Sequence, residues 1–265
     1  METRPRLGMY AVFGFHVPFD ERMGLIADAG FDCTSLCWEH KNERARELKL
    51  DAPGIAREAW LEVESVHAPY SSCNNFWSDD DSIRDAVLGQ HCEWVDDCNR
   101  HQIGIMVTHV TLGKAPPDVN HAGLEAYERL VEHAGKQGVV VAIENTRSDA
   151  HLNALFDHID SKSLGLCYDI LHDVLNSEEP GRLLRDHGSR LISTHFADTD
   201  GILDRHWLPR RGCIDYAKML REFPRGYEGM LMLEVSSRKT DALPEFTRDA
   251  IDTLKQCVAS RTVST

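Results

Sequence analysis

Short apolar, β-branched runs alternate along the whole chain with longer segments whose apolar residues recur every three to four positions. The short runs predict eight strands, at Leu7–Phe13, Phe31–Trp38, Leu61–His67, Ile103–His109, Gly138–Glu144, Ser163–Asp169, Leu191–His195 and Gly229–Glu234. Between them the 3.6-residue period predicts helices. Phe19, Met23, Ile26 and Gly30 mark one face of the first, with Asp20 near its start and Gly30 placed to end it in a left-handed conformation. Ile83, Val87, Trp94, Val95 and Cys98 mark a longer one, Leu124, Tyr127, Val131 and Ala134 another, and Leu152, Leu155, Phe156 and Ile159 a fourth. Ile251, Leu254 and Val258 mark the last, ahead of a polar tail over Ala259–Thr265 that is expected to fray. Strand–helix alternation implies right-handed βαβ units with parallel pairing. Eight units in 265 residues predict a single (β/α)8 TIM barrel over residues 1–265, with no Pro/Ser-rich linker to divide it. A doubly wound open sheet is the alternative, because strand order is not written in one sequence.

The strands end in chemistry-bearing residues. VESVH closes at His67, GIMVTH at His109, GVVVAIE at Glu144, SLGLCYD at Asp169 with His172 three residues on, RLISTH at His195 and GMLMLE at Glu234. In a parallel barrel these ends meet on the C-terminal rim, where such enzymes keep their active sites. A carboxylate that follows four or five buried apolar residues is partly desolvated and needs a cation or a hydrogen-bonding partner. Glu144, Asp169, His195 and Glu234 supply three oxygen donors and one imidazole, a set suited to Mn²⁺, Zn²⁺, Co²⁺ or Mg²⁺ and unsuited to Cu(I) or an iron–sulfur cluster. Any one of the four could be a salt-bridged rim residue; all four in strand order argue for a site.

A second cluster sits in DRHWLPRRG, where Asp204 and His206 are two apart and project to one side of an extended segment. With His172 they could form a second metal position; the alternative is a charge-rich surface loop. Arg205, Arg210 and Arg211 could meet a phosphate or carboxylate, or simply be solvated. His67 and His109 also face the rim, as ligands or substrate contacts, with His16 a weaker candidate. Trp38, Trp77 and Trp207 follow strands and could stack on a sugar or pack. The remaining histidines, at 40, 91, 101, 121, 133, 151, 158 and 187, read as surface positions.

Composition narrows the partners. With 29 basic residues against 43 acidic, a formal net charge of −14 and a pI near 5.4, broad electrostatic binding of nucleic acid or anionic lipid is disfavoured. No apolar run approaches the ~18 residues of a membrane span. METRPR is followed by no signal-peptide core, and eight cysteines without a CxxC pair, Cys98 and Cys167 among them in apolar patterns, fit reduced thiols; a cytoplasmic location is expected. There is no G-x-S-x-G, P-loop or G-x-G-x-x-G.

The fragments AIENT at Glu144, CYDILHD at Asp169 and His172, STHFAD at His195, DRH at 204–206 and MLEV at Glu234 together resemble the xylose-isomerase-like TIM-barrel superfamily, from Leu7 to about Leu254. That group holds sugar-phosphate isomerases and epimerases, inosose dehydratases and endonuclease IV-class AP endonucleases. The resemblance implies a metal, Mn or Zn first and Mg or Co next, on Glu144, Asp169, His195 and Glu234, with the two glutamates moving protons and His172 touching substrate oxygens. In the endonuclease class nine residues hold three zinc ions, and His67, His109, Glu144, Asp169, His172, His195, Asp204, His206 and Glu234 all match in kind. Against that class, NTRSDAHLN after Glu144 lacks a glycine-rich continuation, and the loops offer few lysines for a DNA backbone. The leading expectation is a metal-dependent sugar or polyol isomerase/epimerase working through a metal-stabilised enediolate, with a small sugar as partner and homo-oligomers common among relatives. Glu144 and Glu234 are the expected catalytic residues, and His67, His109, His172 and Arg205 the expected substrate contacts. The alternatives are a multinuclear zinc phosphodiesterase, a keto-polyol dehydratase, or a silent barrel that binds a sugar for regulation.

Overall fold

The computed structural model describes residues 5–38 and 43–262. Its eight parallel strands pair in sequence order, β1 (Leu7–Tyr10), β2 (Cys33–Cys37), β3 (Glu62–His67), β4 (Ile105–His109), β5 (Val140–Glu144), β6 (Leu164–Asp169), β7 (Leu191–Phe196) and β8 (Leu231–Leu233). Pairing of β1 with β8, Leu7 opposite Leu231, closes the barrel and eliminates the open sheet. All eight expected strands are present. Most are shorter than the apolar run, because the run's leading residues turn the chain out of the preceding helix. Phe31 is an example: it is buried, and its N–H bonds the carbonyl of Ile26 at the end of the first helix.

Around the barrel run α1 (Phe19–Ala29), α2 (Glu43–Glu58), α3 (Asp81–Arg100), α4 (His121–Gln137), α5 (Asp149–His158), α6 (Ile170–Asn176), α7 (Arg182–His187), α8 (Tyr216–Glu222) and α9 (Glu245–Thr262). Gly30 ends α1 at φ 95°, as its position predicts. Asn120 caps α4 by accepting the Gly123 N–H at 2.7 Å. Alternate strand residues divide the molecule into two cores. On β6, Leu164, Leu166 and Tyr168 pack outward into the helix layer, while Cys167 faces Val107 and Ala142 inside the barrel.

Two expectations are corrected. His91 and His151 are buried, not superficial. Each satisfies both ring nitrogens inside the protein: His91 bonds the Val87 carbonyl (2.8 Å) and Thr108 Oγ1 (3.3 Å), and His151 bonds Ser148 Oγ and the Pro117 carbonyl, both at 2.8 Å. Helix α9 continues to Thr262, three residues past the start of the polar tail. His40 and residues 263–265 lie outside the described residues. All eight cysteines are free thiols, with Cys98 and Cys167 buried as expected. Among the described residues no helix is long and apolar enough to cross a membrane.

Candidate metal centre

Parallel register brings the strand ends to one level. His109 lies opposite Glu144 and Asp169 opposite His195, while Glu234, one residue past β8, continues the ladder through its N–H to the Phe196 carbonyl (3.1 Å). One ligand atom from each of Glu144, Asp169, His195 and Glu234 lies within 4.8 Å of all the others. His195 Nδ1 stands 3.3 Å from Glu144 Oε1 and 3.2 Å from Glu234 Oε2. Glu144 Oε1, Asp169 Oδ2 and both ring nitrogens of His195 are buried with no hydrogen-bond partner among the described residues. Orphaned polar atoms of this kind each cost about 1–3 kcal/mol. Four of them converging from three strands, with a fourth residue's carboxylate beside them, fit a divalent cation.

The surrounding bonds aim these atoms. Asp169 Oδ1 caps α6 by accepting the His172 N–H at 2.7 Å, which leaves Oδ2 directed inward. Asn145 pins the same residue from both sides, accepting the Asp169 N–H at 2.7 Å and donating to its carbonyl at 2.9 Å. Asn145 was missed in the sequence, although it follows Glu144 directly. Glu144 Oε2 is held by His67 Nε2 (3.0 Å) and His109 Nε2 (3.3 Å), so only Oε1 remains unsatisfied.

The histidines share a pattern. His67 Nδ1 faces the Ala68 carbonyl (2.8 Å), His172 Nδ1 that of Asn145 (3.0 Å) and His206 Nδ1 that of Glu234 (2.8 Å). A carbonyl can only accept, so each Nδ1 carries the proton, and each Nε2 faces a carboxylate: Glu144, then Asp204 at 3.4 Å and at 3.0 Å. Backbone bonds that fix the Nδ1–H tautomer are the usual support of metal-binding imidazoles. Two further three-donor groups result, His67–His109–Glu144 and His172–Asp204–His206.

Electrostatics follow the same geometry. Burial alone would raise the Glu144 carboxyl and lower the imidazoles. Facing His109 and His195 instead hold Glu144 well below the carboxylate range; Cys167, then Glu234 and Glu144, raise His195, and Asp169, Asp204 and Glu144 raise His172, well above ordinary histidine. Burial lifts Asp169 to about 6, although His172 opposes it.

Asp204 and His206 come from the loop after β7. Asp198 folds this loop: it pairs with Trp207 through two backbone bonds, and its carboxylate accepts the N–H groups of Thr199, Gly212 and Ile214. A Cβ on Gly212 would lie 2.1 Å from the Thr199 carbonyl oxygen, so glycine is required there. His206 adopts φ 48°, so Asp204 and His206 meet through a turned backbone and not along an extended one.

The other expected residues lie farther out. Arg205 donates to Asp200 Oδ2 at 2.8 Å, Arg211 to Asp241 and Asp249, and Arg210 to Gln256. Trp38 and Trp77 are buried and donate to Asp97 Oδ2 and the Val110 carbonyl. The Arg238 guanidinium lies 4.2 Å from the half-buried Trp207 ring, and His16 is exposed. Beside the centre opens a cavity of about 170 Å³ lined by His109, Thr111, Thr146, Arg147, His172 and Asp204 among others. A larger hollow of about 500 Å³ lies at the opposite end of the barrel.

Comparison with known proteins bears on this arrangement. Uncharacterized protein y4fM of Sinorhizobium fredii is 36% identical over 99 residues, 34% of this chain and 31% of that protein. The chain spans less than two thirds of the length of the curated relatives it matches. Among solved structures, L-ribulose 3-epimerase superposes with a TM-score of 0.79 at 14% identity, covering 98% of each chain. D-psicose 3-epimerase from Clostridium cellulolyticum H10, solved with D-tagatose, superposes at 0.78 and 14% identity, covering 97% of this chain and 99% of that one. At such identities the likeness is one of fold. The family model for the xylose isomerase-like TIM barrel matches residues 14–257. With its closed eight-stranded barrel and the buried carboxylate–imidazole cluster at the C-terminal rim, the chain belongs to the xylose isomerase-like TIM-barrel family.

Proposed function

We propose that the protein is a divalent-metal-dependent isomerase or epimerase of a small sugar or polyol. The observation that carries this reading is the convergence of Glu144, Asp169, His195 and Glu234 with their leftover bonding capacity. These four residues would hold the ion, whose chemistry when bound is Lewis-acid polarisation of a carbonyl. The protein supplies the proton transfer. Glu144 and Glu234 approach the same His195 nitrogen from two strands, so they bracket one small volume. One carboxylate takes the proton from the carbon beside the carbonyl, and the other returns it to the same or the neighbouring carbon. His109 and His172 line the cavity beside the centre, and with His67 they would contact substrate hydroxyls. Arg205 would have to give up Asp200 to do so. A keto-polyol dehydratase would use the same base and expel a β-hydroxyl as water.

A second reading, a multinuclear zinc phosphodiesterase, is favoured by the two additional donor groups, His67–His109–Glu144 and His172–Asp204–His206. The net charge of −14 weighs against it for a nucleic-acid substrate. Elemental analysis of protein purified without chelators separates the two. About one Mn, Co or Mg per chain, with deuterium uptake from solvent into a keto sugar, is the expected result. Two or three zinc ions per chain, with cleavage of an abasic-site duplex and no deuterium uptake, would replace the isomerase reading by the hydrolase.

A further inference from the structure

The 170 Å³ cavity beside the metal centre holds one feature that the reaction above does not use. Its inner wall is His109 and His172, and at its mouth stands Arg147, three residues beyond Glu144. Among the described residues Arg147 is the only lysine or arginine lining it. Its partner is a neutral amide: Nη1 donates to Asn176 Oδ1 at 3.3 Å. The orientation of that amide is settled by its other end, since Asn176 Nδ2 donates to the carbonyls of Thr146 and His172, both at 2.9 Å. Asn176 therefore must present its oxygen to the arginine. A neutral tether holds the guanidinium in place without neutralising it, and among the described residues no other bond engages its remaining donors.

On the loop after β7, Arg205 and Arg211 are paired with carboxylates, and Arg210, tethered to the Gln256 amide, is not among the cavity's lining residues. Among the described residues that line the cavity the one carboxylate, Asp204, is engaged by His172 and His206. In a chain of net charge −14, a positioned and unneutralised arginine at the mouth of a cavity that opens onto the reaction centre is an anion receptor. The cavity has room for about six waters, enough for a carboxylate or phosphate and the carbon that carries it.

We infer that Arg147 reads an anionic group on the substrate, so that the substrate is a sugar acid or sugar phosphate whose charged end lies away from the bound carbonyl. This inference rests on the isomerase reading for the identity of the sugar, but not for the binding of the anion. Carboxylate and phosphate share the forked recognition, and the test distinguishes them.

The test is calorimetric titration of Mn²⁺-loaded protein with D-fructose, D-fructose 6-phosphate and D-fructuronate, for wild type, Arg147→Met and Arg147→Lys. Deuterium uptake into each sugar is followed in parallel. The expected result is that one of the two anions binds at least tenfold more tightly than D-fructose. Arg147→Met should remove the preference while leaving D-fructose affinity unchanged, and Arg147→Lys should retain part of it. Which anion wins assigns the class. Failure of both anions to bind more tightly than D-fructose, or a preference that survives in Arg147→Met, overturns the inference. Deuterium uptake into D-fructose alone would sink the anion subsite and leave the isomerase reading standing. An Arg147-dependent preference without deuterium uptake into any of the three sugars would do the reverse.

Discussion

Both ends of the barrel bury carboxylates, and they do so in opposite ways. Near the N-terminal end, Glu64 is the extra residue of a β-bulge: Thr34 pairs with Val63 and Ser35 with Ser65, which turns Glu64 inward. Ser193 Oγ donates to its Oε1 at 2.9 Å and Ser65 Oγ to its Oε2 at 2.6 Å, so two serines from opposite sides of the barrel satisfy both oxygens. At the C-terminal rim Glu144 and Asp169 are no more exposed, yet each keeps an oxygen with no partner. Glu64 lines the larger hollow, whereas the smaller is lined by His109 and His172, which face Glu144. Neither burial nor hollow size marks the end proposed to hold the metal. Unused bonding capacity does, because a buried acceptor left unpaired is tolerated where something binds it.

The comparison is broken most severely at the rim carboxylates themselves. Glu144→Gln and Glu234→Gln keep shape and lose the proposed base, so turnover should fall by about 10²–10⁴-fold with an unchanged circular dichroism spectrum. Deuterium uptake into the substrate is the measurement, and a fully active Glu234→Gln would remove the proton-transfer role from that residue. Next in size is removal of the ion. Chelation should lower Tm, since a ligand at 100 times its Kd stabilises by about 2.7 kcal/mol. That corresponds to about 5–10 °C at about 2–4 °C per kcal/mol. Asp169→Asn should shrink the difference between chelated and metal-replete protein. Equal melting temperatures with and without Mn²⁺ or Zn²⁺ would leave the orphaned atoms unexplained.

How far these contrasts can be read from the chain alone depends on the kind of signal. The eight strands are written as apolar runs, and the rim residues as the polar residues that end them; the barrel follows because the runs are evenly spaced. Helix α2 escaped notice because Pro53 sits inside it, where proline ordinarily breaks a helix. The short α6, α7 and α8 span fewer than two full periods each, too few for the pattern to register. Asn145 and Asn176 were invisible for a different reason. Their work is to bond backbone groups at Asp169, Thr146 and His172, and that pairing exists only once β5, β6 and α6 are packed. Arg205 drew attention as the arginine beside Asp204 and His206, whereas Arg147 lines the cavity. Sequence proximity cannot distinguish a guanidinium already bound to a carboxylate from one held by an amide.

The subtlest contrast is the pH response of Glu64. Burial raises its pKa, with the Ser65 and Ser193 hydrogen bonds and the charge of His195 pulling it back only in part. A carboxyl whose folded pKa lies above its unfolded value holds more protons in the folded state between the two. Stability attached to it is therefore present at low pH and is lost as pH climbs through that window. Glu64→Gln cannot titrate and keeps an amide able to bond both serines. Urea midpoints of the variant relative to wild type should thus rise from pH 4.5 to pH 8, the opposite of the loss expected when a carboxylate paired to a cation is replaced. Turnover should stay within about twofold, since removal of a group away from the reacting atoms leaves the proton-transfer step intact. Should Glu64→Gln lose turnover while its midpoint follows wild type at both pH values, the two ends of the barrel are not separate, and the satisfied carboxylate belongs to the reaction as much as the orphaned ones.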